Sequence, residues 1–224
     1  VEAAVQGAFF STGQRCTASS RLIVQAGIHD RFVEACIERL KGLSIDDALA
    51  LKRSPSILRI APLIVGAGDV RVGSRIRETP VLGTTAEFIR VRQMAMAQGL
   101  FLPEGDPRHG QPVCVIGAKV ASELFGARQA LGEWLRIGDR RFRIVGVLAK
   151  QGQSLGFNTD EIVVVPLSAA QALFNTEALF RVMVEAKSRE QIPDAKADIE
   201  EILRQRHEGG LGGPALVAGL AVAC

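Results

Sequence analysis

No stretch of this 224-residue chain holds one hydrophobic period for long, and that constrains its fold more than any motif does. Short alternating or fully apolar runs, typical of strands, are interleaved with short segments spaced like amphipathic helices. Residues 57–65 read as a strand broken by Pro62, and residues 69–73 and 79–82 as further strands. Residues 44–53 begin a helix, with Asp46 and Asp47 placed to favour its N-terminal dipole. Residues 85–97 predict another helix, ending at Gln98-Gly99. A buried strand over 110–116 passes through Gly117 into a helix over 118–125, whose apolar side carries Val120, Leu124 and Phe125. Residues 134–137 and 141–148 predict a hairpin across Gly138-Asp139, a dipeptide suited to positive-φ turns. A polar loop over 151–160, strands over 161–165 and 178–185, and helices over 168–174 and 193–206 complete this part. Strands and helices that mix without one repeating unit argue for an α+β fold.

The first 43 residues form a separate pattern. Residues 1–10 have helical character, residues 21–25 read as a short buried strand, and residues 28–43 as an amphipathic helix with Asp30 at its N-cap. Such a helix–strand–helix piece buries little by itself, because its strand lacks neighbours.

Composition excludes several function classes. A net charge of +3 gives no argument for nucleic acid or an anionic membrane, and no tyrosine with one tryptophan offers no stacking platform for bases. Cys16, Cys36, Cys114 and Cys224 have no metal-like spacing, and His29, His109 and His207 are scattered, so no metal site is expected. Cys114 lies in the apolar run Val113-Cys114-Val115-Ile116 and reads as a buried, inert thiol. Neither a signal peptide nor a stretch of about 20 apolar residues is visible in the chain as written; the tail over 211–224 is too short and carries Pro214.

The run from Ile64 to Gly73 superficially suggests a dinucleotide fingerprint. Arg71 stands where the last glycine belongs, and an alternating pattern follows instead of a helix, so a turn between strands is expected and no cofactor. The charged stretches over 71–78 and 136–143 read as solvated strand faces, with contact to a partner protein as the alternative.

Two resemblances organise the chain, meeting near Leu43-Ser44. Asp46-Asp47-Ala48-Leu49-Ala50-Leu51, Ile60-Ala61-Pro62, Val81-Leu82-Gly83-Thr84-Thr85, Val91-Arg92 and Gly99 with Phe101 carry the first half of the longer one. Val113-Cys114-Val115-Ile116-Gly117, Leu124-Phe125-Gly126, Leu131-Gly132, the run from Phe142 to Leu148, Val165-Pro166-Leu167 and the run from Leu203 to His207 carry the second. In this order and spacing they resemble the MacB-like periplasmic core domain of ABC transporter permeases. The resemblance implies a two-lobed mixed α/β domain over 44–207, with an appended helix–strand–helix segment over 1–43 and a Gly/Ala-rich tail over 208–224 expected to be disordered. It also implies a non-catalytic role on the periplasmic face of the cytoplasmic membrane, coupling ATPase-driven motion to export or to lipoprotein or drug handling. The implied partners are the transporter's transmembrane helices and ATPase, and an outer-membrane exit or adaptor protein.

Phe9-Phe10-Ser11-Thr12-Gly13-Gln14-Arg15-Cys16-Thr17-Ala18 resembles the catalytic-cysteine segment of aldehyde dehydrogenases. That resemblance implies Cys16 as the nucleophile that would form a thiohemiacetal with an aldehyde. Such chemistry needs an activated thiolate, oxyanion donors, a base and a nicotinamide cofactor. In that family the Asn donor, the Glu base and the cofactor domain precede the segment, so Cys16 is expected to be an orphan thiol and no catalytic residue is assigned. An inactive dehydrogenase fragment or a rearranged, chimeric reading frame is the alternative reading of the chain.

Overall fold

The computed structural model describes residues 26–29, 31–32, 42–151, 153–154, 157–207 and 220–223. Its longest element is β1 (Ile57–Val72), a strand of 16 residues that takes part in both halves of the fold. Residues 57–63 of β1 pair with β10 (Arg181–Ala186), and residues 64–72 pair antiparallel with β2 (Arg75–Thr84). In the first lobe β10 also pairs in parallel with β11 (Leu220–Ala223). α1 (Ile45–Leu51) and α5 (Ile192–Arg206) supply Ile45, Ala48, Leu51, Ala195, Ile199 and Leu203 to the core cluster that includes Ile60, Val182 and Val184. The opposite face of β1, with Ala61 and Leu63, packs with Phe88 and Val91 of the short helix α2 (Phe88–Val91).

The second lobe is a closed ring. β2 pairs with β9 (Val163–Pro166), and β9 pairs with β4 (Val113–Ile116). β4 pairs with β6 (Arg140–Leu148), β6 with β5 (Trp134–Ile137), and β5 returns to β1 at Val70 and Arg71. β3 (Met96–Gly99) extends β6 as an edge strand. Alternation divides the ring residues between two clusters. Val70, Val81, Cys114, Ile116, Ile137, Phe142, Ile144, Val163 and Val165 belong to one. Leu82, Val115, Leu148 and Val164 belong to the other. β4 and β9, buried on both faces, are wholly apolar, whereas β5 and the first half of β6 set buried apolar residues against exposed ones. α3 (Ala118–Phe125) adds Val120, Leu124 and Phe125 to the first cluster, and α4 (Leu167–Phe174) adds Leu167 and Ala170.

The α+β reading and the two lobes hold, and α1, α3, α4 and α5 fall where the sequence places them. Pro62 does not end a strand. It sits where β1 passes from β10 to β2, and its carbonyl accepts a hydrogen bond from the buried Thr84 hydroxyl at 2.9 Å. The expected turn around Gly66 and Gly68 is also absent, because β1 runs straight through. The apolar pattern lapses there since the space belongs to other side chains: a Cβ on Gly66 would lie 2.4 Å from the Phe174 ring, and one on Gly68 would lie 3.3 Å from Ile137. The helix expected over 85–97 is reduced to α2, with β3 taking its end. Within the polar loop over 151–160, β7 (Gln153–Ser154) pairs with β8 (Phe157–Asn158), and a 3-10 turn, Thr159–Glu161, follows. In the tail expected to be disordered, β11 pairs its backbone with the edge of β10. The expected helix–strand–helix over 1–43 lies almost wholly outside the described residues.

Gly83 marks the tightest contact between α4 and the ring, because a Cβ there would lie 2.1 Å from Ala170 Cβ. Gly83→Ala should therefore push α4 outward and cost about 1–3 kcal/mol in urea denaturation, as overpacked cores do. Gly105→Ala, with no atom within 4 Å of the new Cβ, should leave the midpoint nearly unchanged.

Candidate functional site

A cleft of about 930 Å³ opens on the ring, where β1 and β5 part. Its origin is a mismatch of strand lengths. β10 leaves one edge of β1 after Leu63, and β5 meets that edge only at Val70 and Arg71. Between these points Ala67, Gly68 and Asp69 line the opening, and Leu173 and Phe174 from the end of α4 lie behind it. Leu135 and Ile137 continue the apolar lining, while Arg71, Arg136 and Arg141, with the carboxylates of Asp69 and Asp139, line the charged side. Trp134, the one tryptophan of the chain, stands at the rim and is 53% exposed.

A second cluster joins the start of α1 to the end of α5. Ser44 caps α1 in a reciprocal capping box: Asp47 N donates to Ser44 Oγ at 3.2 Å, and Ser44 N donates to Asp47 Oδ2 at 2.9 Å. The Ser44 hydroxyl donates to the same carboxylate oxygen at 2.7 Å. Asp47 is 2% exposed, and its other oxygen accepts from Arg206 Nε at 2.7 Å, at the end of α5. His207 Nε2 stands 3.2 Å from that oxygen without hydrogen-bond alignment. Burial opposes the charge of Asp47, but the Arg206 and Ser44 hydrogen bonds and His207 outweigh it and hold the carboxyl below its ordinary range.

The remaining candidates show little chemistry. Among the described residues no group of three or more His, Cys, Asp or Glu side chains could hold a metal ion. Cys114 is fully buried, and desolvation pushes its thiol far above the ordinary range. Cys16 lies outside the described residues. No described helix is long and apolar enough to cross a membrane.

Comparison with known proteins places this geometry. A family model described as the MacB-like periplasmic core domain matches residues 3–202. The chain belongs to this family. The match also spans most of the segment that resembles aldehyde dehydrogenases. A pyoverdine export ATP-binding/permease protein, PvdT, of Pseudomonas entomophila is 36% identical over 170 residues, covering 75% of this chain and 26% of the relative. A macrolide export ATP-binding/permease protein, MacB, of Bdellovibrio bacteriovorus is 28% identical over 167 residues, covering 74% of this chain and 26% of the relative. The chain thus spans about a quarter of the length of these curated relatives. The periplasmic region of MacB from Actinobacillus actinomycetemcomitans shares the fold with a TM-score of 0.65 and 20% identity, over 75% of this chain and 76% of that one. The extracellular domain of the ABC-type transporter YknZ from Gram-positive bacteria also reaches 0.65, at 21% identity over 74% of this chain and 84% of that one. As a MacB-like periplasmic core domain, the chain corresponds to one part of these longer ATP-binding/permease proteins.

Within this MacB-like domain, Asp47 was legible as a helix N-terminal acid, but its union with Arg206 across the lobe was not. The charged stretches around Arg71 and Arg136 both have the pattern of strand faces, and nothing local indicates that β5 pairs with β1. Asp47→Asn should cost about 1–3 kcal/mol at neutral pH, since it removes a charged acceptor that is buried and shared. Because the folded carboxyl titrates below its ordinary 3.8, its contribution is present above that value and lost as pH falls through the lower folded one. In acid titrations followed by urea denaturation, the difference between wild type and Asp47→Asn should shrink below about pH 4.

Proposed function

We propose that this domain works on the periplasmic face of the cytoplasmic membrane, as the non-catalytic part of an ABC-type exporter that couples ATPase-driven motion to movement of cargo. The family match over residues 3–202 carries this reading. The relatives named for pyoverdine export and macrolide export support an export role, with a small secreted molecule or drug as the cargo class. Its partners are the transmembrane helices and ATPase of the transporter, with an outer-membrane exit or adaptor protein beyond them.

The clasp between α1 and α5 suits such a role. Ser44 and Asp47 stand at the start of α1 and Arg206 and His207 at the end of α5, and the Asp47 carboxylate draws these two helix ends together. A buried charge-assisted contact between those ends lets a displacement on either side move the lobe as one body.

Residues 44–207 exchanged for the corresponding domain of the Bdellovibrio macrolide exporter should give a transporter that assembles, hydrolyses ATP and protects cells against macrolides. Asp47→Asn in that exchange should reduce protection while basal ATP hydrolysis persists. An assembled exchange protein with full ATPase activity and no protection would overturn the coupling role. The purified 224-residue chain should form no NADH from NAD and aldehyde, with wild type and Cys16→Ala giving equal traces in an absorbance assay. A wild-type signal lost in Cys16→Ala would restore the dehydrogenase reading.

A further inference from the structure

Three neighbouring strands of the ring place arginines directly opposite one another. Arg71 of β1 is the register partner of Arg136 of β5, and Arg136 is the partner of Arg141 of β6. All three are exposed and lie on the outward side, opposite the buried Val70, Leu135, Ile137 and Phe142. Like charges directly opposite across strands destabilise a sheet. Among the described residues, little relieves them. Arg71 has only a 3.5 Å contact with Asp69, both side chains about half exposed. Among the described residues, Arg136 and Arg141 form no ion pair or side-chain hydrogen bond.

This cationic ladder borders the cleft, whose other two properties are independent of charge. Among the described residues, one edge of β1 is left without a strand between Leu63 and Val70. Leu173 and Phe174 form an apolar wall beside it. An open strand edge offers main-chain hydrogen bonds to an extended peptide, whose side chains then point alternately to two sides. Carboxylates on one side would reach the arginines, which bind them in a bidentate manner, and apolar side chains on the other would reach the wall.

We propose that the cleft binds an extended acidic segment of a partner protein, added as a short strand to the free edge of β1 and held by Arg71, Arg136 and Arg141. The partner chemistry is an alternation of carboxylate and apolar residues over about six positions, the length that an opening of this size admits at about 3.3 Å per residue. The proposal rests on the cleft itself and is separate from the coupling role, since binding to the isolated chain tests it without any transport.

The probe is acetyl-(Glu-Leu)3-amide, titrated into the 224-residue chain while the emission of Trp134, its single tryptophan, is followed in the absence of tyrosine background. A saturable change is expected, weakened about tenfold or more by acetyl-(Gln-Leu)3-amide or by the double variant Arg136→Gln/Arg141→Gln, and weakened by added salt. A peptide N-methylated on the residues facing β1 should also bind worse, because strand addition needs its N–H groups. The double variant changes only exposed side chains, and an unchanged urea midpoint would show that it is folded. Equal binding of the glutamine peptide, or of the double variant, would overturn the role of the ladder. Equal binding of the N-methylated peptide, or response only to anionic lipid vesicles or to decyl phosphate, would overturn strand addition by a partner protein.

Discussion

A strand has two hydrogen-bonding edges, and β1 uses both of them for three different partners. β10 takes one edge over residues 57–63, β2 the other over 64–72, and β5 returns to the first at Val70 and Arg71. This sharing joins the lobe that carries α1 and α5 to the ring that carries α3 and α4. It also dictates the position of the cleft. The edge that β10 vacates is recovered by β5 only after an interval, and the opening lies in that interval.

Close packing makes the arrangement specific. α4 can approach the ring only because Gly66 and Gly83 leave room for Phe174 and Ala170. The missing N–H of Pro62 is tolerated at the handover between partners, where Thr84 satisfies its carbonyl. These residues look like interruptions of a strand, yet they allow one strand to serve two lobes. Dense cores respond to a single added methyl group, so such positions carry information out of proportion to their size.

Charge is arranged differently in the two clusters. At the clasp, Asp47 is buried with its cation and donors in place, and the interaction is complete within the domain. At the cleft, the arginines are exposed and opposite one another, and among the described residues Asp69 alone forms an ion pair with any of them. The first is suited to transmitting a displacement, and the second to receiving an anion.

The sequence by itself determined the class of the fold and most of its helices, because helical spacing and apolar runs are local signals. Val120, Leu124 and Phe125 marked α3, the Gly138-Asp139 turn marked the β5–β6 hairpin, and the burial of Cys114 followed from its apolar neighbours. The ordered fragments from Asp46 to His207 carried the family. Only the tertiary structure decided that residues 57–72 form one strand, that Asp47 meets Arg206, and that Arg71, Arg136 and Arg141 stand in line. Each of these depends on pairing between residues far apart in the chain. A local pattern records which side of a strand faces the core, but not which strand lies beside it.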